Sequence, residues 1–142
     1  MGPIDHTHKH EALLVRARAL MQQRLSESDL TLCDIAATLF VSPRQLQRAF
    51  AHMDSPGFRY ELTCLRIREA ARLIHENPKR SVAATAKAVG YRQSSFFAKT
   101  FREQLGKPPG LWRRQCRDNL RMRAAAEDDL SALDVNALYI SG

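Results

Sequence analysis

The chain has 142 residues, of which 44% are apolar, enough to bury the core of one ordinary domain or of two very small ones. It contains no apolar run long enough for a membrane span, and Met1 to His10 lack the apolar stretch of a secretory signal, so no membrane partner is expected and the cytoplasm is the expected location. The net charge of +7 is uneven: residues 43–117 hold sixteen Lys and Arg against five Asp and Glu, which points to a polyanionic partner, whereas the segment from Glu127 onward sums to −4.

Residues 1–8 read as a disordered tail. His6, His8 and His10 alternate there with no Cys or carboxylate cluster behind them, so they are expected to be solvated, not metal ligands. From about Lys9 to Leu25 an apolar stripe of Leu13, Ala17 and Leu20 or Met21 predicts a supporting helix, followed by the loop SESDLT.

Residues 32–50, LCDIAATLFVSPRQLQRAF, read as two short helices joined by a tight turn. Thr31 and Asp34 form a capping box ahead of Ile35, Ala36 and Leu39. Ser42 and Gln45 form a second, with Pro43 at the first helical position, where a missing N–H does no harm. In the second helix Leu46, Phe50 and Met53 share one face. Arg44, Gln45, Gln47 and Arg48 fall on the other, and their forks suit guanine and adenine edges in a major groove. An ordinary solvated helix face would look the same.

Asp54 to Gly57 break the pattern, and a long helix is predicted over Phe58–Glu76, stopped by Asn77-Pro78. At ~1.5 Å per residue it spans roughly 28 Å, close to the ~34 Å of one DNA turn. The first pattern then returns. Val82, Thr85, Ala86 and Val89 make a short helix, Gly90 supplies a left-handed turn residue, and Phe97 with Phe101 anchors a helix from Gln93 to about Leu105. Ala36 meets Ala86 and Leu39 meets Val89 at an offset of 50, while Leu46 meets Phe97 and Phe50 meets Phe101 at 51. A repeat this short cannot bury its own face, and the long helix offers each copy a wall. Pro108-Pro109 opens a final helix with Leu111 and Trp112, and the acidic end from Glu127 reads as a mobile tail. Cys33, Cys64 and Cys116, odd in number and widely spaced, read as reduced core thiols.

Three motifs together resemble the C-terminal DNA-binding domain of the AraC/XylS transcription factors. They are A-x2-L-x-V-S-P-x2-L-x-R-x-F at Ala36–Phe50, L-R-I-x2-A-x2-L-I at Leu65–Ile74 and A-x2-V-G-Y-x4-F-F-x3-F at Ala86–Phe101, with Gly106, Pro109 and Arg113 fitting as well. The resemblance implies an all-α fold of about seven helices, two helix-turn-helix units on a linker helix, whose recognition helices enter adjacent major grooves. The units would span 9–57 and 77–117 around the linker 58–76, with 118–142 as an extension.

Carried over by position, the base-reading residues would be Arg44, Gln47 and Arg48, with Gln45 beside them, and in the second unit Ser94, Ser95 and Lys99. Arg80, Arg92, Arg102 and Lys107 are the expected phosphate contacts. Phe40 stands at the turn where the second copy has Gly90, Ser55 stands where the family has glycine, and Glu61 where it has tyrosine. The expected partners are double-stranded promoter DNA and, for an activator, RNA polymerase; the sequence names no effector. Neither a cofactor nor a metal is expected, and no convergent acid–base set marks an enzyme. The rival reading is a protein-interaction module or anti-regulator that engages another protein through its basic face and acidic tail.

Overall fold

The computed structural model describes the backbone of residues 3–141 and the side chains of residues 8–128. Among the described residues the fold is all helical: α1 (Pro3–Arg24), α2 (Leu32–Thr38), α3 (Pro43–His52), α4 (Phe58–Glu76), α5 (Val82–Ala88), α6 (Ser94–Leu105) and α7 (Pro109–Ser141). The long helix occupies the predicted span, with one short helix pair before it and one after.

Local chemistry sets most boundaries. At α2 the Asp34 amide donates to Thr31 Oγ1 (3.2 Å) while the Thr31 amide donates to Asp34 Oδ2 (2.9 Å). At α3 the Gln45 amide donates to Ser42 Oγ (3.1 Å) and the Ser42 amide to Gln45 Oε1 (2.8 Å). Each such cap is worth about 1 kcal/mol. α5 has half of this device, the Ala84 amide donating to Ser81 Oγ at 3.0 Å, and α6 has no side-chain cap.

The two turns close alike. The Phe40 amide donates to Ala37 O (3.2 Å) and the Val41 amide to Ala36 O (3.1 Å); in the second copy Gly90 donates to Lys87 O (3.2 Å) and Tyr91 to Ala86 O (2.9 Å). This paired bonding satisfies the last carbonyls of each helix, and it requires a left-handed residue just past the helix end. Gly90 supplies one at φ 91° and Phe40 at φ 57°. Phe40 thus adopts the conformation its position demands, with the strain a side chain carries there.

One continuous core joins the units. Leu14, Ala17 and Met21 of α1, Ile35, Leu46 and Phe50, the α4 residues Leu62, Ile67, Ala70 and Ile74, and Ala86, Val89, Phe97 and Phe101 form a single buried cluster. α4 packs against α1 on one side and α5, α6 and α7 on the other. Trp112 meets Phe101 edge-on, with centroids 5.9 Å apart, and closes the second unit. Thr85 is fully buried, its hydroxyl donating to Ser81 O at 3.0 Å, so no donor is stranded.

Ser55 and Glu61 are partners. The Ser55 hydroxyl donates to the Glu61 carboxylate and accepts the Gly57 amide (3.0 Å), while Arg18 of α1 forks onto the same carboxylate at 2.7 and 3.1 Å. Partial burial raises the Glu61 carboxyl, but the hydrogen bonds from Arg18 and Ser55 outweigh it and hold the group below the ordinary carboxylate range.

The structure departs from expectation at three places. α1 begins at Pro3, not at Lys9, because Pro is tolerated at a first helical turn and no breaker separates it from the stripe; residues 1 and 2 and the His6 side chain lie outside the described residues. α7 runs on to Ser141, replacing the expected mobile tail with helix, since no Gly or Pro follows Gly110 before Gly142 and Ala124 to Ala126 favour helix. Cys33 is exposed and not a core thiol, because α2 turns Ile35 and Ala36 inward; Cys64 and Cys116 are half-buried.

Candidate nucleic-acid interface

On α3, Leu46, Ala49 and Phe50 are buried, which leaves Arg44, Gln45, Gln47 and Arg48 exposed. On α6, Phe97, Thr100 and Phe101 are buried, which leaves Ser94, Ser95, Phe96, Lys99 and Arg102 exposed. Both patterns follow from one core-facing stripe per helix at 3.6 residues per turn. The structure therefore puts all seven base-contact candidates on the outer faces of α3 and α6.

They are not equally available. Gln45 Oε1 accepts the Ser42 amide, so only its NH2 group is left for a base, and the fork that would pair with adenine is half occupied. Arg44, Gln47, Arg48 and Lys99 make no side-chain hydrogen bond or ion pair among the described residues. Several other cations are committed. Arg18 grips Glu61, Arg24 pairs with Glu27 (2.7 Å) and Arg72 with Glu69 and Glu76. Arg113 Nε donates to Pro78 O at 2.8 Å and holds α7 to the end of α4.

The phosphate candidates divide likewise. Arg80 is half-buried and Arg102 exposed, neither with a described partner. Arg92 Nε donates to Ser28 Oγ (2.9 Å), and Lys107 Nζ donates to Gln115 Oε1 (2.9 Å), so each has one donor engaged within the protein.

Sequence reasoning missed Phe96, which is 58% exposed and stacked loosely on Tyr91 with centroids 6.0 Å apart. By the offset of 51 it holds the position of Gln45, and that register was its signal. It also missed Arg66. This half-buried guanidinium donates to Leu25 O (2.9 Å) and Glu27 O (2.7 Å) and lies 5.8 Å from the centre of the Tyr91 ring. Burial lowers its pKa, and burial raises that of the Tyr91 phenol although Arg66 opposes this.

Among the described residues there is no group of His, Cys, Asp and Glu able to hold a metal, and no helix is long and apolar enough to cross a membrane. The His10 and His52 rings meet edge-on at 4.5 Å.

Comparison with known proteins adds one family, two relatives and two solved structures. Residues 35–115 match a family described as a helix-turn-helix domain. The chain is 34% identical over 102 residues to the transcriptional activator NphR of Rhodococcus, covering 72% of this chain and 30% of that protein. It is 29% identical over 118 residues to the regulatory protein PocR of Salmonella typhimurium, covering 83% and 37%. The chain thus spans about a third of the length of these relatives. Among solved structures, the C-terminal domain of AraT, a response regulator from Geobacillus stearothermophilus, aligns with a TM-score of 0.67 at 33% identity over 72% of this chain and 84% of that one. A Chromobacterium violaceum transcriptional regulator with an AraC-type DNA-binding domain aligns at 0.69 and 27% identity, over 75% and 93%.

Proposed function

The chain belongs to the AraC-type helix-turn-helix family of transcriptional regulators, and from that premise we propose that it binds two adjacent major grooves of promoter DNA through α3 and α6 and activates transcription. The observation that carries this reading is the duplicated turn. Two helix pairs end in the same bonding pattern, and each presents an outer face on which Arg44, Arg48 and Lys99 have no described partner.

Arg44, Gln47 and Arg48 read base edges in the first groove, with Gln45 offering its NH2 alone. In the second, Ser94, Ser95 and Lys99 make single contacts and Phe96 lies against a thymine methyl. Arg80 and Arg102 neutralise phosphates, helped by the free donors of Arg92 and Lys107. These contacts fix position without reading sequence. Contact with RNA polymerase completes the activator reading, which draws support from the name of NphR.

Selection of bound sites from random DNA tests the proposal. It should enrich a motif in two parts about one helical turn apart. On that site log K should fall against log salt with a slope of about −0.9 per neutralised phosphate. A pool that enriches nothing, or binding indifferent to salt, overturns the reading. Activation is tested separately, by transcription in vitro from a promoter bearing the selected site.

A further inference from the structure

The two units meet directly, apart from the linker helix between them. Where α1 ends, the segment 25–28 lies on the turn of the second unit. Leu25 and Gly90 are both buried, and a Cβ built on Gly90 would stand 2.5 Å from Leu25 O and 3.1 Å from Arg66 Nε. Only a glycine lets these backbones approach so closely. Arg66, projecting from α4 between them, takes the Leu25 and Glu27 carbonyls with two of its N–H donors and lies near the ring of Tyr91. At the rim, Arg92 Nε donates to Ser28 Oγ at 2.9 Å. Glu27 is itself fixed, by its ion pair with Arg24 and by the Glu27 amide donating to Arg24 O at 3.0 Å.

We propose that this seam of Arg66, segment 25–28 and the Gly90–Arg92 turn is the ruler of the protein, setting the distance and phase between α3 and α6 and so the spacing of the two half-sites it accepts. Arg66 is a positioning residue here. A helix alone bends and twists along its length. A second tie, off the helix axis, converts two units on a rod into one rigid body. Binding of the second half-site then profits from the first only at one geometry, since linked modules lose their joint advantage when the spacing forbids simultaneous engagement. One inserted base pair moves the second half-site by roughly 3.4 Å and about 35° around the duplex.

This inference rests on the two-groove reading above, and the test separates the two. Affinities of the whole chain would be measured on the selected site, on that site with one base pair inserted between its halves, and on one half alone. Wild type should lose about tenfold or more on insertion. Arg66→Met keeps the apolar stem but has no donors. It should bind the intact site less tightly, bind the half-site as wild type does, and lose no more than about threefold on insertion. A melting curve confirms that it is folded; if it is not, Ser28→Ala, which removes the acceptor of Arg92 at the exposed rim, is read in the same way and should shrink the insertion penalty. A folded variant that keeps the wild-type penalty overturns the ruler. Wild type binding the half-site as tightly as the whole site would instead overturn the two-groove reading, and the ruler with it.

Discussion

The two helix-turn-helix units share a backbone device and differ in almost every side chain that uses it. The first unit has two complete capping boxes, a strained Phe40 at its turn and guanidinium and amide forks on its outer face. The second has one half-box, an unstrained Gly90 and an outer face of hydroxyls, one ammonium, one guanidinium late in the helix and a bare phenyl ring. Reading and folding are therefore separable in this chain. The turn bonding and the core stripe specify the fold, and the outer face is left free to vary. The glycine marks the exception, because at the second turn the backbone is also a packing surface.

Gly90→Ala should produce the largest effect. The left-handed strain of about 1–2 kcal/mol is joined by overlap with Leu25 O, which the fixed segment 25–28 cannot relieve, for a total of about 2–5 kcal/mol. A denaturant titration reads this, and a loss under about 1 kcal/mol would show that the seam yields.

Next in size, Arg48→Ala and Lys99→Ala should fail differently. The first should weaken the selected site by about 1–3 kcal/mol and relax a single base position. The second, with a single contact from a flexible point charge in place of a fork, should cost less and relax its base position only in part. Equal, sequence-blind losses at both positions would erase the distinction between the readers. Phe96→Ala sharpens it from the other side. If Phe96 touches a thymine methyl, replacing that thymine by uracil should weaken wild type and leave the variant unmoved.

The units also dock on their surroundings by different chemistry. Arg18 and Ser55 hold the first to α4 through the Glu61 carboxylate, whereas Arg113 holds the second through the Pro78 carbonyl, which does not titrate. With its native pKa depressed, Glu61 contributes stability that is present above the ordinary Glu value of roughly 4.3 and lost as pH falls through the native value. Acid should therefore loosen the first unit first. Glu61→Gln should be less stable than wild type at neutral pH and lack this part of the acid loss. An identical acid profile in midpoints of unfolding would remove Glu61 from the comparison.

The helices were legible because their signals are local, whereas their arrangement came from the family resemblance. Capping residues at Thr31 and Ser42, a proline at position 43, a helix stop at Asn77-Pro78 and the doubled apolar stripe each act within a few residues. The outer face of α3 followed from the same periodicity, and the contact residues of α6 from the family resemblance. What the sequence concealed is what depends on distant partners. Arg66 reads as one more charge on a helix until Leu25 and Glu27, about forty positions back, bring their carbonyls to it. Ser55 and Glu61 look like two separate departures until Arg18 joins them. Gln45 showed both its roles in the sequence, but only the 2.8 Å bond to the Ser42 amide shows how far one limits the other.

The smallest effect belongs to the turn that did not take a glycine. Phe40 is 95% exposed with φ 57°, and nothing packs on it as Leu25 O packs on Gly90. Phe40→Gly relieves about 1 kcal/mol of left-handed strain and gives back about 0.5–1 kcal/mol in added freedom of the unfolded chain. The two nearly cancel, so the midpoint of unfolding should barely move. A destabilisation approaching that of Gly90→Ala would mean that the Phe40 ring has a hidden packing role. A near-zero change, set against the large loss at position 90, would show that the second turn requires glycine for the approach of Leu25 and not for its handedness alone.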